Sequence, residues 1–267
     1  MSAQFDFSGK NIFIFGGTSG INLGIAKRFA ENGGRVAVAS RSQDKVDAAV
    51  AELKELGSDA LGYSLDVRDI DAVKMAINGF HQAAGDIDVL VSGAAGNFPA
   101  PALGMSANAF KSVVDIDLLG TFHVLQSAFP ALRKPGASVV NISAPQAFLP
   151  MMMQSHVCAA KAGVDMVTRT LAMEWGAAGV RVNSISPGPI ANTEGMERLA
   201  PTPEAKAMCA KTVPLGRFGE ASEIADAAMF LSSNAGAYIS GVVLPVDGGW
   251  SLGGVSAAMM AAMGGLK

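Results

Sequence analysis

Cysteine, histidine and tyrosine are scarce in this chain of 267 residues, which has two, three and two of them. Two cysteines leave no disulfide framework and suit a reducing compartment, which points to the cytoplasm. The histidines, His81, His123 and His156, are scattered, so no metal site is expected. There is no basic excess either. Lys and Arg number 20 against 23 Asp and Glu, which argues against a nucleic-acid partner. No run of about 18 uncharged apolar residues occurs, so no membrane span is expected. Met1 to Lys10 is polar, without the apolar core of a signal peptide, and Gly265-Leu266-Lys267 does not read as a peroxisomal address. The Met/Ala/Gly-rich stretch from Gly253 to Gly265 is apolar but short and glycine-broken. It is expected to pack on a partner subunit rather than to enter a membrane.

What is abundant is core material: 50% of residues are hydrophobic and 16% charged, which excludes disorder. Apolar runs at Asn11–Phe15, Arg35–Ala39, Ala60–Leu65, Val89–Val91, Ser138–Ile142, Arg181–Ile185 and Val242–Val246 read as strands. Several lack polar alternation, as strands buried on both faces do. Between them lie stretches with helical spacing, such as Val157, Ala160, Val164, Val167 and Leu171. This alternation predicts an α/β fold: one doubly wound parallel sheet of about seven strands with helices on both faces. No repeat or composition break divides residues 1–267. Residues 187–213, rich in Pro, Gly, Thr and charge, follow a strand and read as a substrate lid.

Phe15-Gly16-Gly17-Thr18-Ser19-Gly20-Ile21-Asn22-Leu23-Gly24 follows the first strand and opens a helix. Glycines there let the backbone approach a pyrophosphate, and the helix N-terminus offers it unpaired N–H groups. Asn22 stands where a further glycine is expected, and Asn tolerates positive φ. The second strand ends Ala39-Ser40-Arg41-Ser42, without the carboxylate that a ribose 2′-hydroxyl would need. Arg41 suits a 2′-phosphate instead, so NADP is expected over NAD; the alternative is a solvated surface arginine. Asp66, before Val67, is placed to bond an adenine amino group or else to cap a helix.

In order, these residues resemble the short-chain dehydrogenase/reductase family over essentially the whole chain. The resemblance rests on the Gly16–Gly20 turn, Asp66, Ala94-Ala95-Gly96, Ala159-Ala160-Lys161-Ala162-Gly163, Asn183-Ser184, Pro187-Gly188 and Asp247-Gly248-Gly249. It implies a Rossmann-type domain, a nicotinamide cofactor and a homo-oligomer, tetramer or dimer. Cofactor contacts carry over to Gly16, Thr18, Ser19, Gly20, Ile21, Arg41, Asp66, Val67, Lys161, Pro187, Gly188, Ile190 and Thr193. The family's tyrosine, four residues before the lysine, is here Val157. Its serine is Ala144, beside Ser143, and its asparagine is Asp117. Ser92-Gly93 replaces an Asn-Asn pair, which puts the local turn bonding in question.

That pattern of replacement resembles the peroxisomal-type 2,4-dienoyl-CoA reductases. So do Ala94–Phe98, Asn108–Lys111, Val114–Asp117, Gln154-x-His156 and Pro187–Gly195. The resemblance implies that Asp117 holds a protonating water, that Lys161 binds the ribose, and that Arg41, Arg68, Phe98, Ser106, Asn108 and Arg198 contact an acyl-CoA. Ala107 departs from the branch within the Ser106–Asn108 triplet. The implied activity is NADPH-dependent reduction of an unsaturated acyl thioester. Two alternatives remain: a catalytically impaired NADP-binding regulatory or scaffold protein, and a carbonyl reductase using His156 as acid. Cys158 reads as helix packing, and Met151-Met152-Met153 as acyl-channel lining or core filling.

Overall fold

The computed structural model describes residues 5–253; the apolar stretch expected on a partner subunit lies almost wholly outside them. Seven strands form one parallel sheet in the order β3-β2-β1-β4-β5-β6-β7. They are β1 (Asn11–Phe15), β2 (Arg35–Ser40), β3 (Leu61–Ser64), β4 (Val89–Ser92), β5 (Ser138–Ile142), β6 (Arg181–Pro187) and β7 (Val243–Val246). The helices are α1 (Gly20–Glu31), α2 (Gln43–Glu55), α3 (Ile70–Ala84), α4 (Ala107–Val113), α5 (Gly120–Ala128), α6 (Ser155–Trp175), α7 (Glu194–Leu199), α8 (Pro203–Lys211) and α9 (Ala221–Ser232).

Alternate residues of β1 feed two cores, as period-two side chains must. Ile12 and Ile14 join Ile25 and Phe29 of α1, Leu53 of α2 and Ile224 of α9 on one face. Phe13 and Phe15 join Ile77 and Phe80 of α3, Leu125 of α5 and Trp175 of α6 on the other. The order of the strands reverses direction between β1 and β4, and in such sheets a crevice opens there at the carboxyl ends. The glycine turn after β1 and the segments after β2, β4, β5 and β6 all meet at that edge. Among the described residues no helix is long and apolar enough to cross a membrane.

Residues 187–213 are more ordered than a loose loop: they complete β6 and form α7 and α8. Thr193 and Thr202 cap the two helices, accepting the N–H of Met196 and Ala205.

Candidate active site

At the β1 turn, Gly16 (φ +79°) has no room for a side chain, because a Cβ there would lie 2.8 Å from the Ala94 nitrogen. Ser19 caps α1 without a side-chain bond, and no acidic residue occupies that helix's first turn. Free N–H groups and the positive end of the helix are therefore left for an anion, as a dinucleotide pyrophosphate requires. Asn22 does not adopt the positive φ allowed for it. It lies within α1, and its amide donates to the Gly93 carbonyl at 2.8 Å. A Cβ on Gly93 would stand 2.3 Å from that amide. Gly93 thus makes room for the Asn22 amide, which bonds its carbonyl.

A cavity of about 280 Å³ runs from this turn over the ends of β2 and β3, lined by Thr18, Ser40, Arg41, Lys45, Asp66 and Val67 among others. Arg41 is exposed and forms no ion pair among the described residues, so its charge is available to a phosphate. Lys45, which the sequence reading missed, brings a second cation from the first turn of α2. Both Asp66 oxygens bond Arg68, at 3.0 Å from Nε to Oδ1 and 2.6 Å from Nη2 to Oδ2. That hydrogen-bonded guanidinium, reinforced by the nearby Arg41 charge, holds the Asp66 carboxyl below the usual range. Asp66 is not a helix cap: Asp69 caps α3. Val67 is buried, and its carbonyl accepts a bond from His123 Nδ1 at 3.0 Å.

A second cavity of about 300 Å³ shares Ser19, Asn22, Gly93, Ala95 and Glu194 with the first, so the two form one continuous cleft. It is lined by Asn97, Asp117, Ser143, Val157, Lys161 and Thr193 among others. Asp117 sits in a π-helical turn, Val114–Leu119, between α4 and α5. Such turns are frequent at functional sites because the extra residue re-aims a side chain. Asp117 is 1% exposed. Its Oδ1 accepts the Gly96 N–H at 2.7 Å, while Oδ2 has no hydrogen-bond partner. Lys161 Nζ stands 3.3 Å from Oδ2 and donates to the Ile142 carbonyl at 3.0 Å. Val157, one turn before Lys161, packs with Val113 and Ala160. The arrangement is a buried ion pair with one acceptor oxygen unbonded, in an open cleft with no protic side chain at position 157.

The remaining expected residues are dispersed around this cleft. Phe98 packs against His156 with ring centroids 4.5 Å apart and the rings tilted by 41°. Ser106 caps α4, accepting the Ala109 N–H, and Asn108 is exposed on the same helix. Arg198 on α7 pairs with Glu194 and donates to the Asn97 carbonyl at 3.1 Å, tying the segment after β6 to the loop after β4. Thr193 donates to the Ile190 carbonyl, and a Cβ on Gly188 would collide with Asp247. His156 is fully buried with neither ring nitrogen bonded and does not line the cleft, so it is poorly placed as an acid. Met152 is 88% exposed, which rules out core filling there, and none of the three methionines lines the cleft. Cys158 is half-buried on α6. A third cavity, of about 540 Å³, is lined mainly by apolar residues such as Val213, Pro214 and Leu215, and Asp117 and Lys161 lie elsewhere.

Comparison with known proteins follows the same lines. Residues 16–251 match the model of a family described as enoyl-(acyl carrier protein) reductase. The peroxisomal 2,4-dienoyl-CoA reductase of Arabidopsis thaliana, named as (3E)-enoyl-CoA-producing, is 41% identical over 90% of this chain and 84% of its own length. The Rattus norvegicus protein of the same name is 43% identical over 90% of this chain and 83% of its own. The crystal structure of a short chain dehydrogenase from Bacillus anthracis superposes with a TM-score of 0.84 at 37% identity, covering 91% of this chain and 97% of that one.

Proposed function

Because the chain belongs to the short-chain dehydrogenase/reductase family, in its 2,4-dienoyl-CoA reductase branch, we propose that it reduces a 2,4-dienoyl-CoA-like thioester with NADPH. Family members bind nicotinamide cofactors, and the cradle fits one: a turn without room for side chains, a free helix N-terminus and an uncommitted Arg41. Gly16, Thr18, Ser19, Gly20, Ile21, Asp66, Val67, Lys161, Pro187, Gly188, Ile190 and Thr193 would hold it. Arg41 and Lys45 would take the 2′-phosphate. The bound nicotinamide supplies a hydride. Arg41, Arg68, Phe98, Ser106, Asn108 and Arg198 contact the acyl-CoA, with residues 187–213 as a lid.

The observation that carries this reading is the buried Asp117–Lys161 pair beside Val157. A ketone reductase makes an alkoxide and needs a proton at oxygen almost at once. A dienoyl thioester accepts hydride at the far end of its diene, and the electron pair spreads onto the thioester oxygen and the α-carbon. Fixed positive charge stabilises that dienolate, and Lys161 provides it. A water held by Asp117 Oδ2 then protonates the α-carbon, and solvent restores the proton. Hydrogen has been added at the two ends of the diene and one double bond remains between them. This is the kind of product named for the plant and rat relatives.

The experiment mixes protein, NADPH and 2,4-hexadienoyl-CoA and follows NADPH absorbance, with Lys161→Ala as control. Turnover no greater than the control's would overturn the proposal. Exposed apolar side chains on α5 and α6, including Phe122, Met166 and Met173, support a homo-oligomer, tetramer or dimer. The two free cysteines suit the cytoplasm. The relatives' names point to the peroxisome, and a fluorescent fusion decides between them.

A further inference from the structure

The wall of the cleft continues outward as two loops, one after β4 and one after β5. Asn97 lines the cleft from the first loop, and Phe98 follows it, packed on Val157 and Ala160. Gln146 lines the cleft from the second loop. It donates to Gln154 Oε1 at 2.8 Å and to Met151 Sδ at 3.5 Å, which ties the cleft wall to the methionine run. The Ala100 N–H donates to the Met153 carbonyl at 2.8 Å and joins the two loops into one surface. Neither loop carries a charge, from residue 93 to 110 or from 144 to 155.

This surface bears two costs that a mere connection avoids. Leu103 and Met152 stand almost wholly in water, and Phe148 and Met153 are about half exposed. Met153 also adopts φ +63°, a left-handed backbone that favours glycine or asparagine. Strain of this kind clusters at functional sites, and exposed apolar patches mark ligand grooves. Along the carboxyl edge of the sheet the character changes from one side of β1 to the other. Arg68 follows β3 and Arg41 follows β2, whereas the uncharged loops follow β4 and β5. An amphiphile with a phosphate-bearing head and a long apolar chain fits that gradient.

Resting on the function proposed above, we infer that Leu103, Phe148, Met152 and Met153, with Phe98 behind them, form a platform for the distal part of a long acyl chain and set the chain-length preference of the site. Methionine suits the task, because its unbranched, polarizable side chain adapts to chains of different length. 2,4-Hexadienoyl-CoA leaves only a methyl group beyond its diene to lie there, whereas 2,4-decadienoyl-CoA leaves a pentyl group.

Saturated acyl-CoAs cannot be reduced at a diene, so their binding tests the platform apart from turnover. By calorimetry of the whole protein with NADPH present, dodecanoyl-CoA below its micelle concentration should bind roughly a hundredfold tighter than butanoyl-CoA. That is about twofold for each added CH₂, since a methylene covered on one side gains about half of full burial. Leu103→Ser combined with Met152→Ser, both at exposed positions, should cut that ratio by roughly tenfold. The ratio of kcat/KM for 2,4-decadienoyl-CoA over 2,4-hexadienoyl-CoA should fall with it. Equal affinities for the two saturated thioesters in the unmutated protein overturn the inference, whatever the variant does. A double variant that keeps the full ratio overturns it too. A smaller sedimentation coefficient in that variant would then assign the surface to contact between copies of this chain, and lost pelleting with phosphatidylcholine vesicles would assign it to a lipid face. Should neither dienoyl thioester be reduced while the binding ratio and its loss in the variant persist, the proposed reaction fails and the acyl platform stands.

Discussion

Asp117 divides its carboxylate between two tasks, with one oxygen on the Gly96 N–H and the other facing Lys161 without a hydrogen bond. Asp117→Asn keeps the first and turns the second into an N–H₂ that cannot orient water in the same way. Turnover should fall by about 10²–10⁴, the scale for losing a positioned proton-transfer group. NADPH affinity should stay nearly unchanged, because the proposed cofactor contacts, the glycine turn, Arg41 and Lys161, are left in place. Full dienoyl reduction by Asp117→Asn would show that the charge is not needed. The two cations beyond β2, Arg41 and Lys45, yield a second prediction. NADPH should bind at least about tenfold tighter than NADH, roughly 1.4 kcal/mol. Arg41→Ala should remove most of that margin and Lys45→Ala a smaller part, as titration calorimetry can measure. Equal affinities in the unmutated protein would place Arg41 in solvent. Arg41, Asp117 and Lys161 were legible in the sequence because each stands at a fixed distance from a glycine turn or from a neighbour in a motif. Lys45 was not, because its place at the cleft depends on which turn of α2 faces it. The Asn22–Gly93 exchange was half legible: both departures were visible, but only the fold shows that they compensate each other.

At the level of elements, all seven strands were legible because most are buried on both faces and read as unbroken apolar runs. Their ends shifted where pairing decides. β6 runs on to Pro187 because β7 pairs with it as far as Val246. Beside β2, at the sheet edge, β3 shrinks to Leu61–Ser64, and its burial alternates. The helices α7 and α8 were not legible, since 6 and 9 residues show too little apolar period. Thr202-Pro203, a cap followed by proline at the first helical position, was the available signal. α9 has a strong start. Glu220 and Glu223 form a reciprocal capping box, and Arg217 bonds both oxygens of Glu223. Those bonds, with the Glu220 N–H, pull the Glu223 carboxyl down to about 2. A depressed pKa stabilises the fold above the unfolded value, about 4.3, and that stability is lost as pH falls toward about 2. Glu223→Gln should therefore lower Tm at neutral pH and flatten its acid dependence over that window. The cost should be roughly 0.5 kcal/mol, the low end for a cap, since both partners face solvent. An unchanged acid limb in the variant would show that the ion pair adds nothing to the fold.

For the whole molecule, the Asp117–Lys161 pair depends on how two helical segments are held. Asp117 lies in the turn that runs into α5, and Lys161 is on α6; α6 packs directly on that turn. The outward sides of these helices carry Phe122 on α5 and Met166 and Met173 on α6, and Met173 is 86% exposed. Large apolar side chains left in water on two helices form a surface that association would cover at a gain of about 25 cal/mol per Å². Covering them would also clamp the two segments that hold Asp117 and Lys161, so the proposed oligomer should be the active form. Phe122→Glu combined with Met166→Glu places charge on that surface without touching the cleft. Analytical ultracentrifugation should show the unmutated protein as a tetramer or dimer and the double variant as a smaller species. The smaller species should keep its circular dichroism and lose turnover more than NADPH affinity, because the glycine turn and Arg41 belong to β1, α1 and the end of β2. A monomeric unmutated protein with full activity would break the link between assembly and the Asp117–Lys161 geometry.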